Sequence, residues 1–208
     1  FLSTGFNDHL GWAHTVNHPD LFELYELTLD PAQPDHYLFD GSSVPLEHET
    51  VTILTEGDKP LSREFWWSAI GPVIHRTADK AYILRSAGYE EYRSGVQWYH
   101  MTKAKNLEEF RAVLRMQAVP MFNIAYADKD GNIRYLWNGT IPKLPHAGSV
   151  ATPVPAAKTA DIWTTFHPLE ELMQLTNPPG GYVQNCNSPP YFTNLNAPLK
   201  RADYPSYF

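Results

Sequence analysis

The chain has 208 residues, of which 43% are hydrophobic and 13% aromatic, so it is long and apolar enough to bury a sizeable core and too apolar to be disordered. Its formal net charge of -7 comes without a basic cluster, which argues against nucleic acid because phosphate neutralisation needs grouped Lys and Arg. No run approaches the roughly 18 apolar residues of a membrane span, so no membrane partner is expected. The single cysteine, Cys186, excludes an internal disulfide framework and a Cys-based zinc site.

Short runs of β-branched and aromatic residues predict a series of strands in the first half of the chain. These predicted strands cover residues 21–29, 37–39, 50–55, 65–67, 71–75 and 81–85. A polar turn at residues 77–80 joins the last two, which is typical of a meander.

The periodicity changes after residue 93, where two helices are predicted. Ser94 with Gln97, and Asn106 with Glu109, match the spacing of a capping box. The helices are expected over residues 95–103 and 107–116. In the second helix an apolar face is expected from Leu107, Phe110 and Leu114.

The remaining segments return mainly to strands. Strands are predicted over 122–127 and 133–137, on either side of the turn sequence DKDGN, whose glycine supplies the positive φ of a hairpin. The proline-rich residues 142–157 are interpreted as an extended loop, and Pro168 predicts a third short helix ending at Leu175. The final GYVQNCNSPPYF segment is interpreted as a short strand that enters a turn. The fold class is therefore α+β, with a mostly antiparallel sheet.

A histidine-rich region near the start of the chain raises the hypothesis of a metal-dependent hydrolase. His14 and His18 would share one face of a strand, and with Asp20 or Glu23 they offer zinc a ligand set. Strand positions four apart are separated by ~13 Å, which is too far for one ion unless the strand bends. Histidines that line a wall are therefore favoured over zinc ligands.

The carboxylates of this region suggest a second kind of cation site. Asp20 and Glu23, with the Phe22 carbonyl between them, present the oxygen donors that calcium takes. The alternative is that Asp20 belongs to a turn and that Glu23 is a solvated strand residue.

The asparagine-rich turn near the end of the chain offers a different chemistry. The side-chain amide of Asn187, on a turn braced by prolines, is a suitable hydrogen-bond donor to an oxyanion, although turn formation alone would also explain the residue. Cys186 has no neighbouring base of the kind a catalytic thiolate needs, so it is interpreted as a packed small residue.

Six segments, taken in order, resemble the β-chain of the penicillin acylase family of N-terminal nucleophile (Ntn) hydrolases. They are GFNDHLGWAHTVN, LYELTLDP, YLFDG, the GPV strand, ADKDGNIRY and GYVQNCNSPP. The resemblance implies part of an αββα sandwich, with residues 1–208 as one partial β-chain domain that lacks the nucleophile segment and the C-terminal remainder. It also implies amide hydrolysis by an N-terminal serine that precedes Phe1 and uses its own α-amino group as base, so the chain alone is expected to be inactive.

The resemblance assigns roles to individual residues. The backbone N–H of the oxyanion hole falls at Val16 and its side-chain amide at Asn187, while His14, His18 and Phe122 fall at positions that line the acyl pocket. The HTVN form is more similar to acyl-homoserine-lactone and lipopeptide acylases than to penicillin G acylases.

The same resemblance implies a structural calcium and the partners of the chain. The family's calcium ligands fall at Asp20, Phe22 and Glu23, although its distal acid aligns near Pro198 with only Asp203 close by. No cofactor is required. The expected partners are a small N-acyl substrate, of β-lactam, acyl-homoserine-lactone or lipopeptide type, and an α-chain cut from the same precursor. A periplasmic or secreted location follows from the family alone. A metal-dependent hydrolase and a noncatalytic acyl-binding module remain as alternatives.

Overall fold

The computed structural model describes residues 3–57, 59–146 and 152–208, which belong to two compact units. One unit comprises Phe1–Leu21, Ala87–Lys143 and Thr164–Phe208, and the other comprises Phe22–Ser86 and Leu144–Trp163. Part of the predicted extended loop, residues 147–151, lies outside the described residues.

The described residues contain thirteen strands, two α-helices and four single turns of 3-10 helix. The strands are β1 Thr4–Phe6, β2 Leu10–Thr15, β3 Phe22–Asp30, β4 Gln33–Phe39, β5 Ser42–Pro45, β6 Glu47–Ile53, β7 Leu61–Ser68, β8 Gly71–Arg76, β9 Lys80–Ser86, β10 Asn123–Asp128, β11 Ile133–Trp137, β12 Val154–Pro155 and β13 Gln174–Thr176. The helices are α1 Ser94–Met101 and α2 Leu107–Leu114. The 3-10 turns are Thr159–Asp161, Leu169–Glu171, Pro190–Phe192 and Arg201–Asp203. Among the described residues, neither helix has the length or the apolar character needed to cross a membrane.

The first unit is built on a five-stranded antiparallel sheet with the spatial order β1-β2-β10-β11-β13. The predicted hairpin between β10 and β11 is confirmed, with Gly131 at a φ of +87° in its turn. Strand β10 pairs with both neighbours, so Asn123 lies opposite Thr15 on one side and Trp137 on the other. This register brings the first residue of β10 beside the end of β2.

The core of the first unit lies between this sheet and its two helices. Phe110 of α2 packs against Trp12 of β2 and Tyr126 of β10, with ring centroids 5.9 and 4.8 Å apart. Trp98 and Met101 of α1 are buried in the same cluster. Burial of such large side chains favours the helix-on-sheet arrangement, because each apolar face is removed from water by the other.

The second unit is an eight-stranded sheet with the spatial order β5-β4-β3-β9-β8-β7-β6, and β12 pairs with β3 beside this path. The β12–β3 pair is parallel and the others are antiparallel. Its predicted strands are confirmed, although β6 begins at Glu47 instead of residue 50, and neither β5 nor β12, which lies in the predicted loop, was predicted. The α+β class with mostly antiparallel sheets is therefore confirmed.

The predicted capping box of the first helix is wrong. The N-cap residue of α1 is Arg93, and no side chain caps this end. Gln97 is fully buried instead, and its Oε1 accepts the backbone N–H groups of Ala118 at 2.7 Å and Val119 at 3.2 Å. Because buried N–H groups are normally hydrogen-bonded, the Gln97 side chain pairs with these two buried donors instead of capping the start of the helix.

The cap of the second helix is confirmed. The side chain of Asn106 accepts the backbone N–H of Glu109 at 2.9 Å, and Glu109 reaches back to the backbone N–H of Lys105. Phe110 and Leu114 are buried and Leu107 is partly buried, as the apolar periodicity predicts.

Two predictions in the last third of the chain are wrong. The predicted third helix is a single 3-10 turn, Leu169–Glu171, followed by β13, because residues 174–176 pair with β11 and extend the sheet. The expected strand in the GYVQ segment is irregular chain in the structure. Hydrogen bonds tie this segment to the chain that follows it: the backbone N–H of Gln184 donates to the Thr193 carbonyl at 3.0 Å, and Nδ2 of Asn194 donates to the Tyr182 carbonyl at 2.9 Å.

Candidate functional site

The end of β2 and the asparagine-rich turn at residues 185–188 meet in the first unit. Val16 directly follows the last residue of β2, and its backbone N–H donates to Oδ1 of Asn187 at 2.6 Å. Asn187 is exposed and has a φ of +61°, a left-handed conformation that Asn adopts more readily than other non-glycine residues. The structure thus brings together the two residues that the resemblance assigns to an oxyanion hole.

The orientation of the Asn187 amide differs from that of a two-donor oxyanion hole. Its carbonyl oxygen faces Val16 and occupies the Val16 N–H, so the two groups form a donor–acceptor pair. For both to donate to one anion, this hydrogen bond must break and the amide must turn so that Nδ2 points toward the anion. The oxyanion role of Val16 and Asn187 stays a prediction at this stage.

Asn185 connects this turn to the sheet. Its Oδ1 accepts the hydroxyl of Thr15 at 2.5 Å, Nδ2 of Asn123 at 3.1 Å and the backbone N–H of Asn187 at 2.8 Å. Its Nδ2 donates to the Ser188 carbonyl at 2.9 Å. One side chain therefore binds the Asn187 N–H, the Ser188 carbonyl and the last residue of β2.

Asn123 fixes the Val16 peptide from the neighbouring strand. It is 1% exposed, and its Nδ2 lies 3.1 Å from the Val16 carbonyl and 3.0 Å from the Thr15 hydroxyl. Its Oδ1 accepts the Tyr135 hydroxyl at 2.6 Å. Burial raises the pKa of Tyr135, so the phenol stays protonated and remains a donor. Sequence reasoning missed Asn123 and Tyr135, because only the register of β2, β10 and β11 places them beside Val16.

Asn17 fixes the backbone on the other side of Val16. This buried side chain accepts the Phe122 backbone N–H at 2.6 Å and donates to the Asn138 carbonyl at 2.8 Å. Phe122 has a φ of +99°, a strained conformation for an aromatic residue. The chain around Val16 is thus held by buried amides that include Asn17 and Asn123.

His14 and Phe122 form part of one wall. Their ring centroids are 5.5 Å apart, and the His14 ring also lies 6.4 Å from Trp98. Burial lowers the pKa of His14 to about 4, so this imidazole is uncharged at neutral pH. The structure thus packs His14 against two aromatic rings, and its role in lining an acyl pocket stays a prediction.

His18 lies in a cleft beside Asn187. The cleft has a volume of about 240 Å³ and is also lined by Asn17, Trp137 and Phe208. Trp137 and Phe208 stack with centroids 5.8 Å apart and provide an aromatic floor. The structure therefore places His18 next to a predicted oxyanion donor, whereas His14 and Phe122 contact each other.

The zinc hypothesis finds no support in the described part of the chain. No three His, Cys, Asp or Glu side chains among residues 3–57, 59–146 and 152–208 are placed to bind one metal ion. The premise of a shared strand face is also wrong for His18, because β2 ends at Thr15.

The predicted calcium ligands have contrasting environments. Glu23, in β3, is 3% exposed, and its Oε2 lies 3.4 Å from Nε2 of His146, so the alternative of a solvated strand residue is wrong. Asp20 is half-buried. Two carboxylates and a carbonyl are the donor types that calcium takes, and the assignment to Asp20, Phe22 and Glu23 stays a prediction.

The interpretation of Cys186 as a packed residue is wrong. The thiol is free and exposed. Asn185 and Asn187, on either side of it, make the turn's contacts with the sheet, and this alternation leaves the residue between them facing solvent.

Comparisons with known proteins agree on one family. The model of the penicillin amidase family matches residues 1–207. The chain is 31% identical over 227 residues to the acyl-homoserine lactone acylase PvdQ of Pseudomonas fluorescens strain Pf0-1, a match that covers 95% of this chain and 29% of that protein. It is 29% identical over 192 residues to the penicillin G acylase of Escherichia coli, with 91% of this chain and 22% of that protein covered.

A solved structure gives the same result. The thermostable penicillin G acylase from Alcaligenes faecalis matches with a TM-score of 0.76 and 26% sequence identity, over 92% of this chain and 35% of that one. The chain thus spans less than a third of the length of the two relatives compared by sequence.

Proposed function

Because the chain belongs to the penicillin amidase family, we propose that its parent protein hydrolyses N-acyl amides and that Val16 and Asn187 bind the oxyanion formed in that reaction. The observation that carries the proposal is the 2.6 Å contact between the Val16 N–H and the Asn187 amide. An oxyanion hole needs two donors within reach of one oxygen, and these two groups already lie side by side.

The proposed nucleophile is an N-terminal serine that precedes Phe1 in the parent protein. The proposed protein partner of this chain is an α-chain cut from the same precursor. The serine hydroxyl adds to the acyl carbonyl carbon and gives its proton to the serine's own α-amino group. The C–N bond then breaks, and the amine leaves with that proton. Water next adds to the acyl-serine ester, and cleavage of the ester releases the acid and restores the serine.

The role of this chain is to stabilise the negative oxygen in both additions. The substrate carbonyl displaces Oδ1 of Asn187 from the Val16 N–H, and the Asn187 amide turns so that its Nδ2 also donates. Both groups are fixed before the reaction, Val16 by Asn123 and Asn187 by Asn185. These bonds fix the Val16 peptide and the backbone of Asn187, so the turn of the Asn187 side-chain amide is the one rearrangement that the proposed hole needs before both groups donate.

The side chains of His14 and Phe122, next to the proposed oxyanion hole, favour a substrate with an apolar acyl group. His14 is uncharged and lies among the rings of Phe122 and Trp98, so an aliphatic or aromatic acyl chain would meet no buried charge there. The HTVN sequence and the similarity to acyl-homoserine lactone acylases favour N-acyl-homoserine lactones, with β-lactams such as penicillin G and N-acylated lipopeptides as the other substrate classes. The His18 cleft beside Asn187 offers a place for the rest of the substrate.

A calcium ion held by Asp20, the Phe22 carbonyl and Glu23 is proposed as a structural component, and a periplasmic or secreted location as the setting. Calcium binding is tested by titration calorimetry of the whole protein with CaCl2. The wild type should bind one ion and a Glu23→Gln variant should bind it more weakly. Equal binding by both would remove Glu23 from the site.

The proposed activity is tested with the whole protein expressed from its own gene. N-acyl-homoserine lactones of increasing chain length and penicillin G are incubated with it, and the released acid and amine are followed by mass spectrometry. Release of both products at equal rates, insensitive to chelators of transition metals, is expected. Tight binding without turnover would identify an acyl-binding module, and loss of turnover with a zinc chelator would restore the metal-dependent alternative.

A further inference from the structure

We propose that Asn185 is a positioning residue that sets the Val16–Asn187 pair in the geometry that oxyanion binding requires. The inference rests on the proposed function and assigns to Asn185 a task that it performs through Val16 and Asn187. It is carried by the hydrogen bonds of one side chain.

Asn185 holds the turn at Asn187 through two hydrogen bonds. Its Oδ1 accepts the Asn187 backbone N–H at 2.8 Å, and its Nδ2 donates to the carbonyl of Ser188 at 2.9 Å. The residue between these two points has a φ of +61°. Asn adopts this left-handed conformation more readily than other non-glycine residues, and the two bonds from Asn185 brace it here.

The same amide is attached to the strand that carries the other donor. Oδ1 of Asn185 also accepts the Thr15 hydroxyl at 2.5 Å and Nδ2 of Asn123 at 3.1 Å. Thr15 is bonded through the chain to Val16, whose N–H is that donor. Asn123 in turn holds the Val16 carbonyl at 3.1 Å. The side chain of Asn185 therefore helps to position both donors of the proposed oxyanion hole.

This task needs a side-chain amide. One oxygen accepts three donors while one nitrogen donates to a carbonyl, and a carboxylate or a hydroxyl of the same reach cannot satisfy all four partners. Without Asn185, the Asn187 N–H and the Ser188 carbonyl would bind water, and the turn would lose its hydrogen bonds to Thr15 and Asn123. A displacement of about 1 Å at a catalytic group lowers rates by up to roughly 100-fold.

The expected signature separates positioning from general stability. Because the oxyanion exists only along the reaction and not in the bound substrate, Asn185→Ala should lower kcat by roughly 10- to 100-fold and leave KM within about twofold. The Val16 backbone N–H should also exchange with deuterium faster, because its acceptor on Asn187 is no longer held.

Asn194 provides a matched control. It too is an asparagine with four hydrogen bonds: its Nδ2 donates to the carbonyls of Pro179 and Tyr182, and its Oδ1 accepts the backbone N–H groups of Asn196 and Ala197. None of these partners belongs to the Val16–Asn187 pair. Asn194→Ala should therefore lower the melting temperature without changing kcat or the exchange of the Val16 amide.

The experiment compares the whole wild-type protein with Asn185→Ala, Asn194→Ala and Asn187→Ala. The measurements are kcat and KM on an N-acyl-homoserine lactone, and hydrogen exchange of the peptide containing Val16 by mass spectrometry. A fall in kcat at constant KM with faster exchange in Asn185→Ala, but not in Asn194→Ala, supports the proposal. Wild-type kcat and wild-type exchange in Asn185→Ala overturn it.

The parallel Asn187→Ala variant separates the two proposals. If Asn187→Ala is inactive while Asn185→Ala behaves like the wild type, the positioning role alone is wrong. If Asn187→Ala retains full activity, or if the wild type hydrolyses no N-acyl substrate, the proposed function is wrong, and the exchange result then decides whether Asn185 orders the pair. Should Asn185→Ala not fold, Thr15→Val removes, with conserved shape, the hydroxyl that donates to Asn185 and accepts from Asn123. A loss of kcat of about threefold or more at constant KM would support the positioning role, and a smaller change would refute it.

Discussion

The backbone N–H of Val16 donates to Oδ1 of Asn187 at 2.6 Å, although 171 positions separate the two residues in the chain. Long-range register makes this possible, since β2 pairs with β10 and places Asn123 opposite Thr15. In this arrangement Asn187 occupies the Val16 N–H, so in the proposed oxyanion hole a substrate would compete with Asn187 for that donor. A contact of this kind keeps a donor satisfied when no substrate is bound.

Ser94 and Asn106 both match a capping-box spacing in the sequence, but their substitution should affect stability differently. Asn106→Ala removes the acceptor of the Glu109 N–H and should lower the free energy of unfolding by about 1 kcal/mol. Ser94→Ala should change it by less than about 0.5 kcal/mol, because Ser94 caps nothing in α1. Urea unfolding followed by circular dichroism measures both. Equal losses in the two variants would contradict the structural difference between the helix starts.

The buried hydroxyl of Tyr135 should contribute to the stability of the folded protein. Tyr135→Phe leaves Oδ1 of the buried Asn123 without this donor, which should cost roughly 1–3 kcal/mol of unfolding free energy. Tyr126→Phe is the matched control, since that hydroxyl donates to Asp128, a carboxylate with several other donors nearby, and a smaller loss is expected. Thermal and urea unfolding of the two variants provide the comparison. A larger loss in Tyr126→Phe would show that the Asn123 network contributes little.

The buried His14 should make stability depend on pH. Burial lowers its pKa from 6.5 to about 4 in the folded protein, so between these values the unfolded chain binds a proton that the folded protein does not. Stability should therefore fall as the pH drops from about 7 toward 4, by up to about 3 kcal/mol from this group, which is the 2.5-unit shift expressed as free energy.

His14→Gln tests this dependence. At pH 8 the difference between variant and wild type reports only the change in local contacts, because the imidazole is neutral in both folded and unfolded chains. From pH 8 to pH 4.5 the wild type should lose more unfolding free energy than His14→Gln in urea titrations. Parallel pH profiles would show that the folded protein binds a proton at His14 as readily as the unfolded chain does.

Local sequence patterns predicted correctly those elements whose structure depends on residues close together in the chain. The hairpin at Gly131 and the cap at Asn106 follow from residues within five positions of each other, and both are confirmed. Where distant partners decide, prediction from the sequence was wrong. Gln97 turned inward to satisfy Ala118 and Val119, and residues 174–176 joined the sheet through β11 instead of extending a helix.

The site shows the same division. The motif around Val16 and the turn around Asn187 could each be identified in the sequence, and the resemblance to a family paired them. The amides that hold them could not be identified, because Asn123 and Tyr135 lie inside ordinary strand patterns. Their importance comes from hydrogen bonds across a register that no local spacing encodes.

Asn187 gives the most direct test of the proposal that its amide and the Val16 N–H bind the oxyanion of an acyl-transfer reaction. The measurement is kcat/KM of the whole protein and of its Asn187→Ala and Asn187→Asp variants on an N-acyl-homoserine lactone. Asn187→Ala should lose roughly 100- to 1000-fold, the usual cost of one oxyanion donor. Asn187→Asp should lose at least as much, because a carboxylate still occupies the Val16 N–H and cannot donate. Near wild-type kcat/KM in either folded variant would contradict the account.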